Sequence, residues 1–180
     1  ISLGPRSFGD AAPEPDMPSS ALSRRDLLRT GALAFAAAPL AGAGLARAAS
    51  AAAPGLHVLK DPSCGCCGAW TEIMRAEGFD VSVEEVPNGP LVRRKIALGI
   101  PSQAASCHTG LIEGYVVEGH VPAADIRRLL AERPDAVGIA VPGMPWGSPG
   151  MGPEAEREAY DVVLIGRDGG LSLWSRHPAA

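Results

Sequence analysis

Three of the chain's four cysteines, Cys64, Cys66 and Cys67, fall within four consecutive positions at the junction of two different hydrophobic patterns. Before them, residues 56–61 (Leu-His-Val-Leu-Lys-Asp) read as a short strand, which Pro62 and Ser63 break directly ahead of the sulfurs. After them, Trp70, Ile73 and Met74 recur at helical spacing from Cys67 onward, Glu72 and Arg75 take the other side, and Gly78 supplies a C-terminal stop. Whatever the rest of the chain does, it must pack a strand and a helix around a sulfur-rich junction.

The patterns that follow keep alternating. Residues 79–86 alternate apolar and polar positions as a half-buried strand, and Pro87-Asn88-Gly89 ends them with turn chemistry. Asn88 or Gly89 is the expected cap of a second helix with Pro90 in its first turn, an apolar stripe of Leu91, Val92 and Ile96, and a stop at Gly99 and Pro101. The loop 101–110 brings in the fourth cysteine, Cys107. Residues 110–119 read as two short strands, His120-Val121-Pro122 leads into a third helix carrying Ile126, Leu129 and Leu130, and residues 137–141 form another strand. Residues 160–166 and the Leu-Ser-Leu-Trp run from Leu171 form a hairpin through Arg167-Asp168-Gly169-Gly170, after an irregular loop holding Met144 and Met151. Strands alternating with helices imply one α/β domain with a central mixed sheet flanked by helices.

The first fifty residues have a different character. Ser23-Arg24-Arg25-Asp26-Leu27-Leu28-Arg29 precedes an Ala- and Gly-rich apolar run, and Ala46-Arg47-Ala48 has the small-x-small form of a signal-peptidase site. The paired arginines resemble the twin-arginine export signal, which delivers folded proteins, and the run is too short and too broken by Pro39 for a stable membrane anchor. The expected organisation is a cleaved signal peptide over residues 1–48, a linker over 49–55 and a domain over 56–176. The chain starts with Ile and Met17 stands at the usual distance ahead of such a signal, so residues 1–16 are a candidate untranslated extension. Of 16 basic and 20 acidic residues, cleavage removes five and four, leaving 11 and 16, net −5. With few aromatics and no basic patch beyond Arg93-Arg94-Lys95, the mature chain lacks the footprint of a nucleic-acid binder.

Cys64 and Cys67 have the C-x-x-C spacing of a thioredoxin-type dithiol at a helix N-terminus, where free N–H groups and the helix dipole favour a thiolate. If the chain is a thiol–disulfide oxidoreductase, Cys64 is the nucleophile and Cys67 the resolving residue. Four cysteines allow three pairings, of which the one joining adjacent Cys66 and Cys67 is strained, so oxidation is expected to give Cys64–Cys67 and Cys66–Cys107. Pure stapling is an inefficient use of three sulfurs within four residues, since the loop closed by Cys64 and Cys67 is minimal. His108 directly after Cys107 adds an imidazole to the thiols, and that donor set selects Cu(I) or Zn(II) over hard cations. Zinc usually draws four tetrahedral ligands from paired knuckles, which a C-x-C-C with a distant Cys-His does not reproduce, so copper is the expected metal. His120 is a candidate ligand or partner of one, and the thioethers of Met144 and Met151 are candidate Cu(I) contacts. His57 and His177 have no companion ligand nearby in sequence and are read as structural or surface residues.

Cys64-Gly65-Cys66-Cys67-Gly68 with Trp70, Cys107-His108-Thr109, Glu118-Gly119-His120-Val121-Pro122, Gly143-Met144-Pro145 and Gly147-Ser148-Pro149-Gly150-Met151, in this order, resemble an exported, copper-associated family of formerly unassigned domains that includes CopG. The resemblance spans most of residues 56–175. It implies a thioredoxin-like domain in the bacterial periplasm that binds copper, as Cu(I), through Cys64, Cys66, Cys67 and Cys107. By motif, His108 and His120 follow as further ligands and Met144 and Met151 as contributors. It also implies a role in copper handling or resistance, a possible exchange of electrons between copper and thiols, and partners among other periplasmic copper-handling proteins.

Overall fold

The structure is a computed structural model that describes residues 52–180; the expected signal peptide and residues 49–51 of the expected linker lie outside the described residues. Ten regular elements follow in the order β1 (Gly55–Lys60), α1 (Gly65–Ala76), β2 (Asp80–Glu85), α2 (Asn88–Ala97), β3 (His108–Ile112), β4 (Tyr115–Glu118), α3 (Ala123–Glu132), β5 (Gly138–Ala140), β6 (Tyr160–Ile165) and β7 (Leu171–His177). The strands form one seven-stranded sheet in the order β2-β1-β3-β4-β5-β6-β7. β1/β2 and β4/β5 run parallel and the remaining neighbours antiparallel, so the sheet is mixed and the chain is α/β as expected.

Three departures from the expected boundaries bear on the site. Strand β3 begins at His108, inside the stretch 101–110 read as a loop, so His108 and Thr109 are strand residues. Helix α1 begins at Gly65 rather than at Cys67, with Cys64 at its N-cap, so Cys66 and Cys67 are already helical. A Cys-Gly-Cys-Cys run carries no helical periodicity, and glycine is a poor helix former, so the first turn is set by packing that sequence does not display. Helix α2 takes Pro87 as its N-cap instead of Asn88 or Gly89, with Pro90 in the first turn as expected. Strand β2, at the sheet edge, is also more exposed than a half-buried strand.

Both faces of the sheet are covered. Leu56 and Val58 of β1, Ile112, Val117 and Ile139 share one apolar cluster with Trp70 and Met74 of α1 and Ile126 and Leu129 of α3. On the other face, Leu59 and Leu111 pack with Leu91 of α2, and Ile100 and Ala104 pack with Val116 and Ala140. Because side chains alternate along a strand, β3 sends His108 towards α1 and Thr109 towards α2. Glu118, the cross-strand partner of Thr109 in β4, faces α2 as well. His57 and His177 take structural roles, His57 beside Ser82 and Glu84 and His177 against Asp125. Among the described residues no helix is long and apolar enough to cross a membrane.

Candidate metal centre

The start of α1 and the entry to β3 meet. The Sγ atoms of Cys64, Cys66, Cys67 and Cys107 all lie within 4.8 Å of one another, although Cys107 is far away in sequence. Cys64 and Cys67 are joined in a disulfide, whereas Cys66 and Cys107 are free thiols. The expected second bridge, Cys66–Cys107, is therefore not formed; its two sulfurs are neighbours but unlinked. Cys66 Sγ also lies 3.5 Å from Cys64 Sγ, so the free thiol abuts the bridge.

Cys107 belongs to a second group with His108 and His120, whose donor atoms again lie within 4.8 Å of one another. Its Sγ is 3.0 Å from His120 Nε2 and 3.5 Å from His108 Nδ1. The Pro149 carbonyl, an acceptor only, lies 2.8 Å from His120 Nδ1, so Nδ1–H donates to it. That fixes the tautomer, leaving the Nε2 lone pair turned to Cys107, whose S–H donates to it. An imidazole held through one nitrogen, with the other aimed at the donor cluster, is the usual arrangement of a histidine that ligates metal.

His108 is fully buried, lies with its ring centroid 4.4 Å from that of Trp70, and stands edge-on to His120. Its Nε2 has no hydrogen-bond partner among the described residues. Buried polar atoms are normally satisfied, so the chain keeps this ring for something other than its own hydrogen bonds, and Nδ1 already faces Cys107.

Burial dominates the electrostatics. It pushes the Cys107 thiol up to about 11, with the nearby Cys66 sulfur adding to the effect. Burial also holds His108 well below the ordinary imidazole range, reinforced by His120 and by the Lys95 ammonium, and it lowers His120 against the opposing carbonyl of Pro149. At neutral pH Cys107 is thus a neutral thiol beside two neutral imidazoles, and a soft cation that binds its sulfur must displace the thiol proton.

The depressed imidazoles give a prediction for the metal-free protein. Unfolded histidine takes up a proton near pH 6.5, while the folded rings stay neutral. Stability is therefore complete above about pH 6.5 and falls as pH drops below it, by up to about 1.4 kcal/mol per pH unit for each ring kept neutral. Urea midpoints measured from pH 7.5 to pH 5 should show this fall, and His108→Gln should make it shallower. A midpoint independent of pH over this window would contradict it.

The loop 141–152 closes the group from outside. Ser106 Oγ donates to the Gly143 carbonyl at 2.5 Å and Gly143 N–H donates to the Ala105 carbonyl, which ties the residue before Met144 to the approach to Cys107. Gly150 has φ +83°, and a Cβ there would fall 2.8 Å from Trp70 N and 3.0 Å from the Cys66 carbonyl, so only glycine lets the loop lie this close to α1. Met151 comes next in the chain. Met144 is 56 % exposed and Met151 partly buried, and neither belongs to the two groups of converging donors.

Three residues with no assigned role in the sequence reading sit under the group. Glu118 is fully buried and accepts hydrogen bonds from Lys95 Nζ at 2.5 Å, the Ser106 N–H at 2.7 Å and the Thr109 hydroxyl at 2.7 Å. Lys95 also donates to the Thr109 hydroxyl at 2.9 Å. Burial pushes the Glu118 carboxyl up and the Lys95 ammonium opposes it. The hints in the sequence are the position of Lys95 four residues after Leu91, on the buried face of α2, and the places of Thr109 and Glu118 within the Cys107-His108-Thr109 and Glu118-Gly119-His120 motifs.

The fold and these motifs have known counterparts. Residues 104–151, which include Cys107, His108, His120 and both methionines, match the family described as "Protein of unknown function, DUF411". Among solved structures, the chain is similar to a protein titled "Copper resistance protein copG- Form 2", at 46 % identity and a TM-score of 0.65 over 70 % of this chain and 99 % of that one. A second structure, "Copper resistance protein copG- Form 1", gives 46 % identity and a TM-score of 0.65 over 69 % and 98 %. Among curated proteins none matches the chain.

Proposed function

The chain belongs to the CopG family of copper resistance proteins, and from that premise we propose that it is a periplasmic copper-binding protein whose cysteine group holds Cu(I) as cargo. The observation that carries this reading is the convergence of four sulfurs and two imidazoles around Cys107. Thiolate with imidazole is a soft donor set, and cysteine-rich sites favour Cu(I). Cys64, Cys66, Cys67, Cys107, His108 and His120 are the ligands in this reading, and Met144 and Met151, carried by the loop 141–152, are its candidate thioether contacts. Zinc fits less well, because three of the sulfurs crowd one helix start rather than spreading over paired knuckles.

The residues divide the work. Cys64 and Cys67 must gain two electrons and two protons before all four sulfurs are thiols, and the exported location supplies the oxidising setting in which that bridge forms. On binding, the partly exposed Cys107 gives up its proton to solvent, which leaves the His120 Nε2 lone pair at 3.0 Å free to ligate. Trp70 and the loop 141–152 exclude water on either side. The β1–α1–β2 unit with a C-x-x-C at the helix start supports the thioredoxin-like reading of the domain. The twin-arginine pattern and the Ala48 cleavage motif support export, removal of residues 1–48, and a mature domain over 56–176 behind a short linker. Other periplasmic copper-handling proteins are the expected exchange partners.

A Cu(I) titration against a chromogenic chelator, on anaerobically reduced protein, tests this. Tight, stoichiometric binding is expected, strengthening roughly tenfold per pH unit for each thiol proton displaced near neutrality; absence of stoichiometric binding overturns the reading.

One observation favours a second reading, thiol–disulfide exchange. Cys64 is partly exposed and bridged to a fully buried Cys67, the disposition of an attacking and a resolving cysteine. Oxidation of the two thiols releases two electrons, enough to reduce a substrate disulfide or two Cu(II) ions. Turnover of a model disulfide that requires Cys64 and survives Cys107→Ser selects exchange with disulfides over copper binding.

A further inference from the structure

We propose that the buried Lys95–Glu118 pair is a positioning device for the metal centre, setting the Cys107–His120 distance from the opposite face of the sheet. The proposal deepens the copper reading and rests on it only where metal is measured. It starts from where the hydrogen bonds go. Glu118 accepts from the Ser106 N–H on one side of the Cys107-His108 pair and from the Thr109 hydroxyl on the other. The same carboxylate stands two residues before His120 on a different strand. One side chain therefore pins both flanks of Cys107-His108 to the strand end that carries His120.

The backbone at this point leaves little slack. Gly119, between Glu118 and His120, has φ +73°, and a Cβ there would press on the Ser106 side chain and fall 2.7 Å from the Val141 carbonyl. Its N–H donates to the His108 carbonyl at 3.0 Å. Strand end and cysteine loop are thus in the closest approach that backbone allows, and what fixes their relative height is the carboxylate below. Lys95, delivered by α2, orients that carboxylate through its ammonium and donates to Thr109 as well.

Stability alone is a poor reason for such a pair. Desolvating two charges offsets most of their attraction, and apolar residues of similar volume often serve a core as well or better. What an apolar pair cannot do is accept hydrogen bonds from Ser106 N–H and the Thr109 hydroxyl. Partners that orient ligands commonly change metal affinity 10–100-fold when they are removed. Lys95 and Glu118 touch no ligand atom, so they are positioning residues.

The test uses the full protein with Lys95→Met and Glu118→Leu combined, which leaves no unpaired charge and removes the acceptor shared by Ser106 N–H and the Thr109 hydroxyl, and Thr109→Val separately. Three quantities are read: thermal unfolding, the ¹⁵N resonances of the His120 ring without metal, and Cu(I) affinity after reduction. The expected result is an unfolding midpoint near the native one, a shifted His120 Nε2 resonance as its hydrogen bond to Cys107 is lost, and Cu(I) affinity 10–100-fold weaker. Thr109→Val should shift the same resonance to a smaller extent. Lower stability with native ring resonances and native affinity overturns the proposal, since a merely structural pair predicts that. If the double variant does not fold, Thr109→Val decides by the same criteria. If the native protein binds no Cu(I), the copper reading falls by itself and the metal-free ring spectrum still decides whether the pair positions His120.

Discussion

Cys107→Ser is expected to weaken Cu(I) binding by more than about 100-fold while leaving the protein folded. Cys107 is the one residue shared by the sulfur group at the start of α1 and the Cys-His-His group at the head of β3. Removing it therefore breaks both donor sets at once, and a serine hydroxyl is a hard, weakly basic oxygen that a soft cation does not favour. Replacing residues that merely support a ligand costs 10–100-fold, so losing a shared ligand should exceed that range. The side chain is only partly buried and the substitution is nearly isosteric, so the urea midpoint should stay close to native. Chelator competition on the reduced variant gives the affinity. A variant that binds as tightly as the native protein would mean that Cys64, Cys66 and Cys67 suffice and that the distant cysteine is not a ligand.

Trp70→Ala should have the largest effect on stability, about 3–5 kcal/mol. The indole is fully buried in the main core cluster and its Nε1–H donates to the Val121 carbonyl at 2.9 Å. Truncation empties the space between α1 and the sheet and removes the partner of a buried carbonyl, a further cost of about 1–3 kcal/mol where water does not replace it. A domain of this size has about 5–15 kcal/mol in total, so a cost of about 3–5 kcal/mol removes at least about a fifth of it. Trp70→Phe keeps most of the volume and loses only the hydrogen bond and the outer ring, and should cost well under half as much. Urea unfolding of the metal-free protein measures both; equal costs for the two would show that the lost hydrogen bond, and not the cavity, dominates. Trp70 also walls in His108, so the alanine variant should expose that ring to water and raise its affinity for protons.

Much of this architecture is legible in the sequence, because the strands are short, most of them have Gly or Pro near an end, and the helices carry apolar stripes. The order of all ten elements follows from those signals. The failures are local. The start of α1 hides in Cys-Gly-Cys-Cys, which has no periodicity to read. Cys66 and Cys107 looked like partners because pairing arithmetic counts sulfurs, whereas the fold sets them side by side as thiols and bridges Cys64 to Cys67. The cysteines and histidines that meet around Cys107 could be picked out as candidates for one group, since residue type carries their chemistry. Its supports could not: Lys95 closes a run of basic residues that resembles a solvated face, and only the register of β3 against β4 shows that Thr109 and Glu118 meet it beneath the sheet. Nor does anything in a proline announce that its carbonyl will choose the tautomer of His120.

Strand β3 turns His108 to one face of the sheet and Thr109 to the other, so the cysteine group answers to neighbours it never touches. Relatives with identical sulfur and imidazole ligands can drift in α2 and at the end of β4, and such drift would retune how firmly they retain metal. Ranking such proteins by their ligand motifs alone would miss any difference that arises on the far face of the sheet.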